Sequence, residues 1–257
     1  MKSPKKKRKD FSYPNKLLAA FRNGDCCSIC NKLLVLDYED GSAKCVGQAA
    51  HIAGEQPGAA RYDEHMTDRE RLDYKNLIYL CRDCHAMIDD LDKGVKNYPT
   101  KKLLSIKQKH EAKMRKAMLD AFPDVNFPAL FEATKWVERF RSRVRQGTYS
   151  LLKVDAKLKR NDISTYNRVV IEGGLGVTKE VGAYVQDVSK DDDGFADRLK
   201  FGFMEEYARL RKENIKGDPL FEGMCSFAQR GMERQVDRTA ALAVLVYFFE
   251  KCEVFEK

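Results

Sequence analysis

The chain has 257 residues, 33% of them charged and 43% hydrophobic, a composition that excludes disorder for most of its length. Its longest apolar run, 239–249, is far shorter than the roughly 20 residues that a membrane span requires, so we expect no membrane segment. No apolar segment follows the basic start, which argues against secretion and predicts a cytoplasmic protein. The eight cysteines are therefore expected to be thiols or metal ligands rather than disulfides.

The net charge of +8 is unevenly distributed along the chain. Residues 1–120 carry 24 basic and 17 acidic side chains, 121–160 carry 9 and 4, and 161–257 carry 14 and 18. Any affinity for nucleic acid should therefore belong to the first 160 residues, which contain basic stretches at 93–116 and 135–160. The alternative is that these stretches are solvated helix faces.

Residues 1–10 are predicted to be a flexible basic tail, because they offer no apolar side chains to pack. Within it, PKKKRK at 4–9 resembles a nuclear localisation signal of the viral large-T type. The same residues could equally be a phosphate-binding arm or an artefact of expression.

Residues 11–121 are predicted to form one domain. Its expected elements are a helix at 15–22, strands at 33–36 and 43–49, a loop at 54–60, one or two helical turns at 67–72, a short helix at 82–90 and a long helix from Pro99 to about Ala121. Pro123 and Pro128 then indicate a boundary, and 122–150 is predicted to be a helical connector with a helix from Ala129 to about Arg145.

Residues 151–257 are predicted to form a second, mostly helical domain. Its first part has β-branched residues at 162–170 and 181–188, on either side of a turn expected at Gly173-Gly174. Three helices are expected after it, at 195–214, 219–230 and 236–252, and Cys225 and Cys252 lie on their apolar faces. The last helix is apolar nearly all round, which favours a core position over a docking surface for a partner.

Two CxxC pairs predict a structural Zn²⁺ site. Each pair can offer two thiolates from a tight turn, and the four predicted ligands are Cys27, Cys30, Cys81 and Cys84. Because Cys26 adjoins Cys27, the first pair could be shifted by one residue, and Cys45 could replace one of the four ligands. The alternative is that the four cysteines are buried free thiols.

A second group of polar residues lies between and after these pairs. His51 follows a strand, Asn76 precedes an apolar run, and His85 follows Cys84 directly. Asp89 is four residues beyond His85, so both side chains lie on one helix face, where they can share a divalent cation. The segment therefore offers a candidate base, a positioning amide and a metal pair.

The order of these motifs resembles a known nuclease family. The chain reads CSIC, then AHI, then GAARYDEHMTDRERLDYKNLIYLCRDCHAMID, followed by YPTKKLLSIKQKHE. Over about residues 15–115 this resembles HNH endonucleases of the ββα-metal type with an embedded zinc knuckle, as found in bacterial anti-phage effectors and restriction enzymes. The resemblance implies an α+β fold, with a small zinc-stabilised ββα-metal nuclease domain followed by a mostly α-helical C-terminal domain.

By the same resemblance, His51 would be the general base, Asn76 would brace its loop, and His85 with Asp89 would hold Mg²⁺ or Mn²⁺. The products would be 5′-phosphate and 3′-hydroxyl ends. The DNA-binding side chains would be Arg61, Lys101, Lys102, Lys107 and Lys109.

One position departs from the family pattern. Many HNH enzymes place a metal-binding His or Asp just before the base, where this chain has Ala50. The metal would then keep more waters or borrow a carboxylate such as Asp90 or Asp63. His65 and His110 are expected to be structural.

The C-terminal residues weakly resemble modules of effectors in bacterial ABC-three-component defence systems, through YFFEKCEVFEK and the pattern at 203–210. This implies a protein partner for residues 151–257, an ATPase or sensor complex. The expected function is that of a metal-dependent DNA endonuclease in bacterial defence. The alternatives are a non-catalytic, zinc-containing DNA-binding or scaffold subunit and an RNA-directed nuclease.

Overall fold

The computed structural model describes residues 10–37, 43–139, 154–251 and 254–255. The predicted tail before Asp10, most of the connector after Arg139 and Cys252 lie outside the described residues. The described residues fall into two compact units, which divide between Met114 and Arg115. Asp37 and Ala43 group with the second unit. The division lies within the long predicted helix rather than at its end near 121.

The first unit begins with helix α1 (Tyr13–Arg22). Ser12 caps this helix by accepting the Asn15 backbone N–H on its hydroxyl oxygen, and Pro14 lies in the first turn, where its missing N–H costs no hydrogen bond. After Asn23, positive φ angles at Gly24 and Asp25 reverse the chain direction.

The first unit contains four short strands in two pairs. One pair joins β1 (Val35–Asp37) to β2 (Ala43–Cys45), and the other joins β3 (Gln48–His51) to β4 (Leu77–Leu80). Strands β3 and β4 are antiparallel, with Gln48 opposite Leu80 and His51 opposite Leu77. All four residues of β4 are buried, and helix α3 (Arg82–Asp89) follows this strand directly. The first unit is therefore built around a strand–strand–helix arrangement.

The connection from β3 to β4 is held by its own polar groups. It contains helix α2 (Asp68–Arg71), which begins with a reciprocal capping box between Thr67 and Glu70. Arg71 is buried, and its guanidinium donates hydrogen bonds to the carbonyl oxygens of three loop residues, Gly54, Asp63 and Met66. These bonds give the loop carbonyls a donor from within the connection.

Helix α4 (Lys93–Asn97) and the part of helix α5 (Thr100–Asp120) up to Met114 complete the first unit. Helix α4 is short, and helix α5 is the long basic helix that the sequence predicts after Pro99. Leu103 of α5 is fully buried in the same apolar core as β4.

From Arg115 onward, the described residues of the second unit form helices joined by short connections. Its helices are α6 (Phe127–Val137), α7 (Val154–Arg160), α8 (Thr165–Leu175), α9 (Thr178–Val188), α10 (Phe195–Lys212), α11 (Gly217–Ala228) and α12 (Gln235–Glu250). Helix α12 lies at the centre and packs against α6, α8, α9 and α11. Every residue from Asp237 to Phe249 except Tyr247 is buried, so α12 is core, as its apolar sequence favours. Cys225 of α11 is also core.

The expected turn at Gly173-Gly174 is not formed, because α8 continues through both glycines. A Cβ atom on Gly174 would lie 2.8 Å from Cβ of Val246, so the glycine allows α8 to approach α12 closely. Val170 and Ile171 are fully buried in α8. Packing of this apolar face outweighs the weak helix preference of β-branched residues.

Taken together, the described residues are mostly helical with a few small antiparallel strands, a composition compatible with the α+β class. Among them, no helix combines the length and apolar character needed to cross a bilayer.

We predict that Gly174→Ala destabilises the second unit by about 1–3 kcal/mol, because the new methyl group overpacks the contact with Val246. Gly182→Ala is the matched control, since its Cβ would lie 3.4 Å from the Tyr247 ring and a helical alanine is favoured over glycine by about 0.5–1 kcal/mol. Urea unfolding followed by circular dichroism measures both changes. Equal effects of the two substitutions would contradict the close packing of α8 on α12.

Candidate functional site

Two turns bring four cysteine sulfurs together in the first unit. The Sγ atoms lie within 4.8 Å of one another, and the members of the group are Cys27, Cys30, Cys81 and Cys84. These are the four residues predicted from the CxxC pairs. The group is compatible with a structural zinc knuckle.

Hydrogen bonds within and around the two turns position the four cysteines. Asn31 adopts a left-handed φ of 59° and donates its N–H to the carbonyl of Cys27 at 2.9 Å, which closes the first turn. Ser28 ties this turn to β4, because its N–H and its hydroxyl both donate to the carbonyl of Tyr79, each at 2.9 Å. In the second turn, Cys81 caps α3 and its sulfur accepts the Cys84 N–H at 3.4 Å.

The sulfur spacing fits a tetrahedral ion. Zn–S bonds of about 2.3 Å place neighbouring sulfurs about 3.8 Å apart, and the sulfurs of Cys30 and Cys81 are 3.8 Å apart. Burial, together with hydrogen bonding among the thiols, raises the pKa of Cys84, and a bound cation would reverse that effect. Cys26 and Cys45 lie outside the group, and the Cys45 sulfur is 2.6 Å from the hydroxyl of Tyr79.

We predict one zinc ion per chain in the purified protein. Cys81→Ser should lower the zinc content well below one and reduce the urea midpoint of the first unit, because a structural zinc contributes its binding free energy to folding. Cys26→Ser is the matched control, since Cys26 adjoins the cluster without belonging to it. Metal analysis after gel filtration gives the stoichiometry, and full zinc content in the Cys81 variant would contradict the assignment.

His85 and Asp89 face each other across one turn of α3. Their closest atoms, His85 Nε2 and Asp89 Oδ2, are 3.2 Å apart. The other ring nitrogen of His85, Nδ1, donates to Oε1 of Gln48 on β3 at 2.8 Å. Gln48 therefore orients the ring so that Nε2 points toward Asp89, an arrangement typical of metal-binding histidines.

These two residues fit a shared divalent cation. Ligands at right angles on bonds of about 2.1 Å lie about 3 Å apart, close to the observed 3.2 Å. Although partial burial raises the pKa of Asp89, hydrogen bonds and charges from His85 and Arg61 lower it overall, so its carboxylate is ionised. Among the described residues, the four cysteines are the only group of three or more such ligands, so a cation here would keep several water ligands.

Neither alternative carboxylate joins this pair. Asp90 accepts the backbone N–H groups of Lys93 and Gly94, at 2.7 and 3.1 Å, and these bonds lower the pKa of its carboxyl. Asp63 is exposed and accepts the N–H of His65 at 2.9 Å. Ala50 is fully buried on the same face of β3 as Gln48, so its methyl group lies on the side of the strand that contacts α3.

His51 is the last residue of β3 and lines a pocket of about 240 Å³. The pocket brings His51 and Asp89 together, although they are distant in sequence, and its remaining lining residues are Gly54, Glu55, Gln56, Ala59 and Ala60. The His51 ring stacks on Phe11, with ring centres 4.2 Å apart and an interplanar angle of 27°.

Asn76 holds the loop that follows His51. Its side-chain oxygen accepts the Ala53 N–H at 2.8 Å, and its side-chain nitrogen donates to the carbonyls of Ala53 and Arg71, each at 2.9 Å. The backbone carbonyl of Asn76 accepts the N–H of Ile52 at 2.9 Å. These bonds fix the backbone of Ile52 and Ala53, the two residues that follow His51.

The structure places Arg61, which the resemblance makes a DNA-binding residue, against protein acceptors. Its side chain is only 3% exposed and donates to the carbonyls of Ile52 and Ile88 and, at 3.0 Å, to the Asp89 carboxylate. Arg61 instead fixes the end of α3 against the loop after β3, which orients Asp89. Each of the three nitrogens of its guanidinium donates to a protein acceptor.

Lys107, another predicted DNA-binding residue, is buried, and its ammonium group bonds to Glu111 at 2.6 Å. Tyr74 adds a hydroxyl bond to the same carboxylate and a ring 3.6 Å from the Lys107 nitrogen. The other predicted lysines, Lys101, Lys102 and Lys109, are exposed on α5.

The two histidines expected to be structural differ in their surroundings. The side chain of His65 is 87% exposed. His110 is buried, and Nε2 of its ring lies 3.3 Å from the carbonyl oxygen of Asn23. Burial lowers the pKa of His110, so its ring is neutral in the core.

We predict that Arg61→Ala lowers the free energy of unfolding by about 1–3 kcal/mol, because it leaves buried carbonyl groups without a donor. The exposed Arg69, in α2 of the same connection, provides the control Arg69→Ala, which should change stability by less than about 0.5 kcal/mol. Urea unfolding measures both. Unchanged stability with weakened DNA binding would instead support a DNA-binding role for Arg61.

Comparison with known proteins does not add a family to these observations. No protein-family model matches the chain. No curated protein matches it either.

Proposed function

We propose that the protein is a metal-dependent HNH endonuclease of the ββα-metal type. The observation that carries this proposal is the shared pocket of His51 and Asp89, beside the His85–Asp89 pair on α3. A strand that ends in a histidine, an antiparallel partner strand and a helix with two metal-ligand side chains supply the parts that phosphodiester hydrolysis needs.

His51 is the general base in this proposal. Its neutral imidazole accepts a proton from water while the water oxygen attacks the phosphorus of the scissile phosphodiester. The bond from phosphorus to the 3′ oxygen breaks, and this oxygen takes up a proton from solvent, which leaves 5′-phosphate and 3′-hydroxyl ends. A cation held by His85 Nε2 and Asp89 would neutralise the negative charge that grows on the phosphate and the leaving oxygen.

Other residues of the first unit position this machinery. Asn76 holds the loop after His51, Gln48 orients His85, and Arg61 orients Asp89. Gln48 lies on β3, Arg61 lies in the connection after β3, and Asn76 directly precedes β4, so three different segments position the site.

DNA is the proposed substrate because the charge of the nuclease half is positive. Residues 1–120 carry 24 basic against 17 acidic side chains, and Lys101, Lys102 and Lys109 are exposed on α5. Such contacts bind the phosphate backbone without reading sequence. The helical second unit, in which acidic residues outnumber basic ones after residue 160, is proposed to bind a protein partner in a bacterial defence complex, an ATPase or sensor.

One observation favours a second candidate, a DNA-binding protein without catalytic activity. Ala50 places a buried methyl group where many HNH enzymes carry a metal ligand. In that case the protein would bind DNA equally in the presence of magnesium and EDTA and would cut nothing.

We predict that the purified chain nicks or linearises supercoiled plasmid with Mg²⁺ or Mn²⁺ and that EDTA abolishes the reaction. His51→Ala should lower the rate by about 10²–10⁴-fold, because the base is lost. His65→Ala is the matched control and should retain the wild-type rate, since His65 is exposed and lies outside the pocket. Gel electrophoresis measures the conversion, and a matched RNA substrate separates the two nuclease alternatives.

Cleavage by the His51 variant at the wild-type rate would refute the general-base assignment. Binding without cleavage under every metal condition would favour the non-catalytic alternative.

A further inference from the structure

The residues just before α1 contact the proposed base. Phe11 is 4% exposed, and its ring lies nearly parallel to the His51 imidazole, with centres 4.2 Å apart. The sequence places Phe11 at the edge of a basic tail, where no role in the site is expected.

The position of Phe11 is fixed by its neighbours. Its backbone N–H donates to the Asp10 carboxylate at 2.8 Å, and Lys16 of α1 binds the other oxygen of that carboxylate at 2.5 Å. The Phe11 ring belongs to the apolar core that includes Ala50 and Ile52, the residues on either side of His51. Phe11 is therefore held from both its backbone and its side chain.

An imidazole at the end of a strand can rotate about the bond between its ring and Cβ, because this type of bond has a broad torsional preference. An aromatic ring stacked on one face of the imidazole hinders that rotation and keeps water away from the covered face. Proton transfer depends on the direction of the ring nitrogen, and small misplacements of a reacting group are costly.

We propose that Phe11 is a positioning residue that holds the His51 ring in the orientation needed to accept the proton from water. This inference rests on the proposed function, in which His51 is the base. It makes the segment at Asp10-Phe11 a part of the active site rather than the end of a tail.

The test compares Phe11→Leu with Phe21→Leu in the full chain. Phe21 is an equally buried phenylalanine in α1, so its substitution removes the same ring from the same unit. Phe11→Tyr keeps an aromatic ring and serves as the conservative rescue. Phe11→Met, which retains apolar volume, replaces the leucine variant if that variant does not fold by circular dichroism.

The first readout is the NMR spectrum of the histidine ring protons, without added magnesium or manganese. The Phe11 ring current should shift the His51 signals, which are identified by their absence in His51→Ala. Phe11→Leu should abolish this shift, whereas Phe21→Leu should leave it unchanged.

The second readout is single-turnover DNA cleavage at saturating metal. Phe11→Leu should lower the rate about 10- to 100-fold with unchanged DNA affinity, and Phe11→Tyr should recover most of it. Unshifted His51 signals in the wild type, or equal rates for the Phe11 and Phe21 variants, would overturn the inference. Absence of cleavage by the wild type would instead refute the proposed function, and the NMR result would still test the ring contact.

Discussion

The convergence of four cysteine sulfurs sets the geometry of the first unit. It joins the turn after α1 to the junction of β4 and α3, two segments that are far apart in sequence. Because Cys81 caps α3 and Cys84 lies in its first turn, the start of that helix is fixed. His85 and Asp89 therefore follow at fixed positions along the helix axis. The candidate metal pair thus depends on the knuckle, although it shares no ligand with the predicted zinc site.

Buried polar side chains have a comparable effect in the connection from β3 to β4. The backbone hydrogen bonds of this connection are mostly those of local turns, and a buried carbonyl without a donor is costly. Arg61, Arg71 and Asn76 supply the donors, and each binds at least two backbone carbonyls. The loop next to His51 is therefore ordered by side chains rather than by regular secondary structure, and the pocket walls follow from that order.

Sequence patterns could predict the features that depend on short-range spacing. The two CxxC pairs, the i,i+4 relation of His85 and Asp89, the long helix after Pro99 and the all-round apolar α12 are of this kind. The mostly helical architecture and the group of four cysteines are confirmed, whereas the nuclease activity stays a prediction.

Features that depend on distant neighbours could not be predicted. Arg61 bonds to Asp89, 28 residues away in sequence. Lys107 pairs locally with Glu111, but the Tyr74 ring that covers it comes from another element, so charge alone does not separate these two residues from exposed cations. The sequence favours a turn at Gly173-Gly174 because glycine pairs are typical of turns. The contact of Gly174 with Val246, which explains the glycine, leaves no local signal. Phe11 has one local signal, since an apolar residue before a helix cap often packs inward.

The central position of α12 has a consequence for how the chain is made. Four other helices of the second unit pack against this helix, yet it is the last of them to leave the ribosome. Until it is synthesised, the apolar faces of α6, α8, α9 and α11 lack their common partner and are exposed to aggregation or chaperone binding. The residues of the first unit, by contrast, are all synthesised before α6. Translation therefore delivers the candidate nuclease unit some time before its companion can acquire a core.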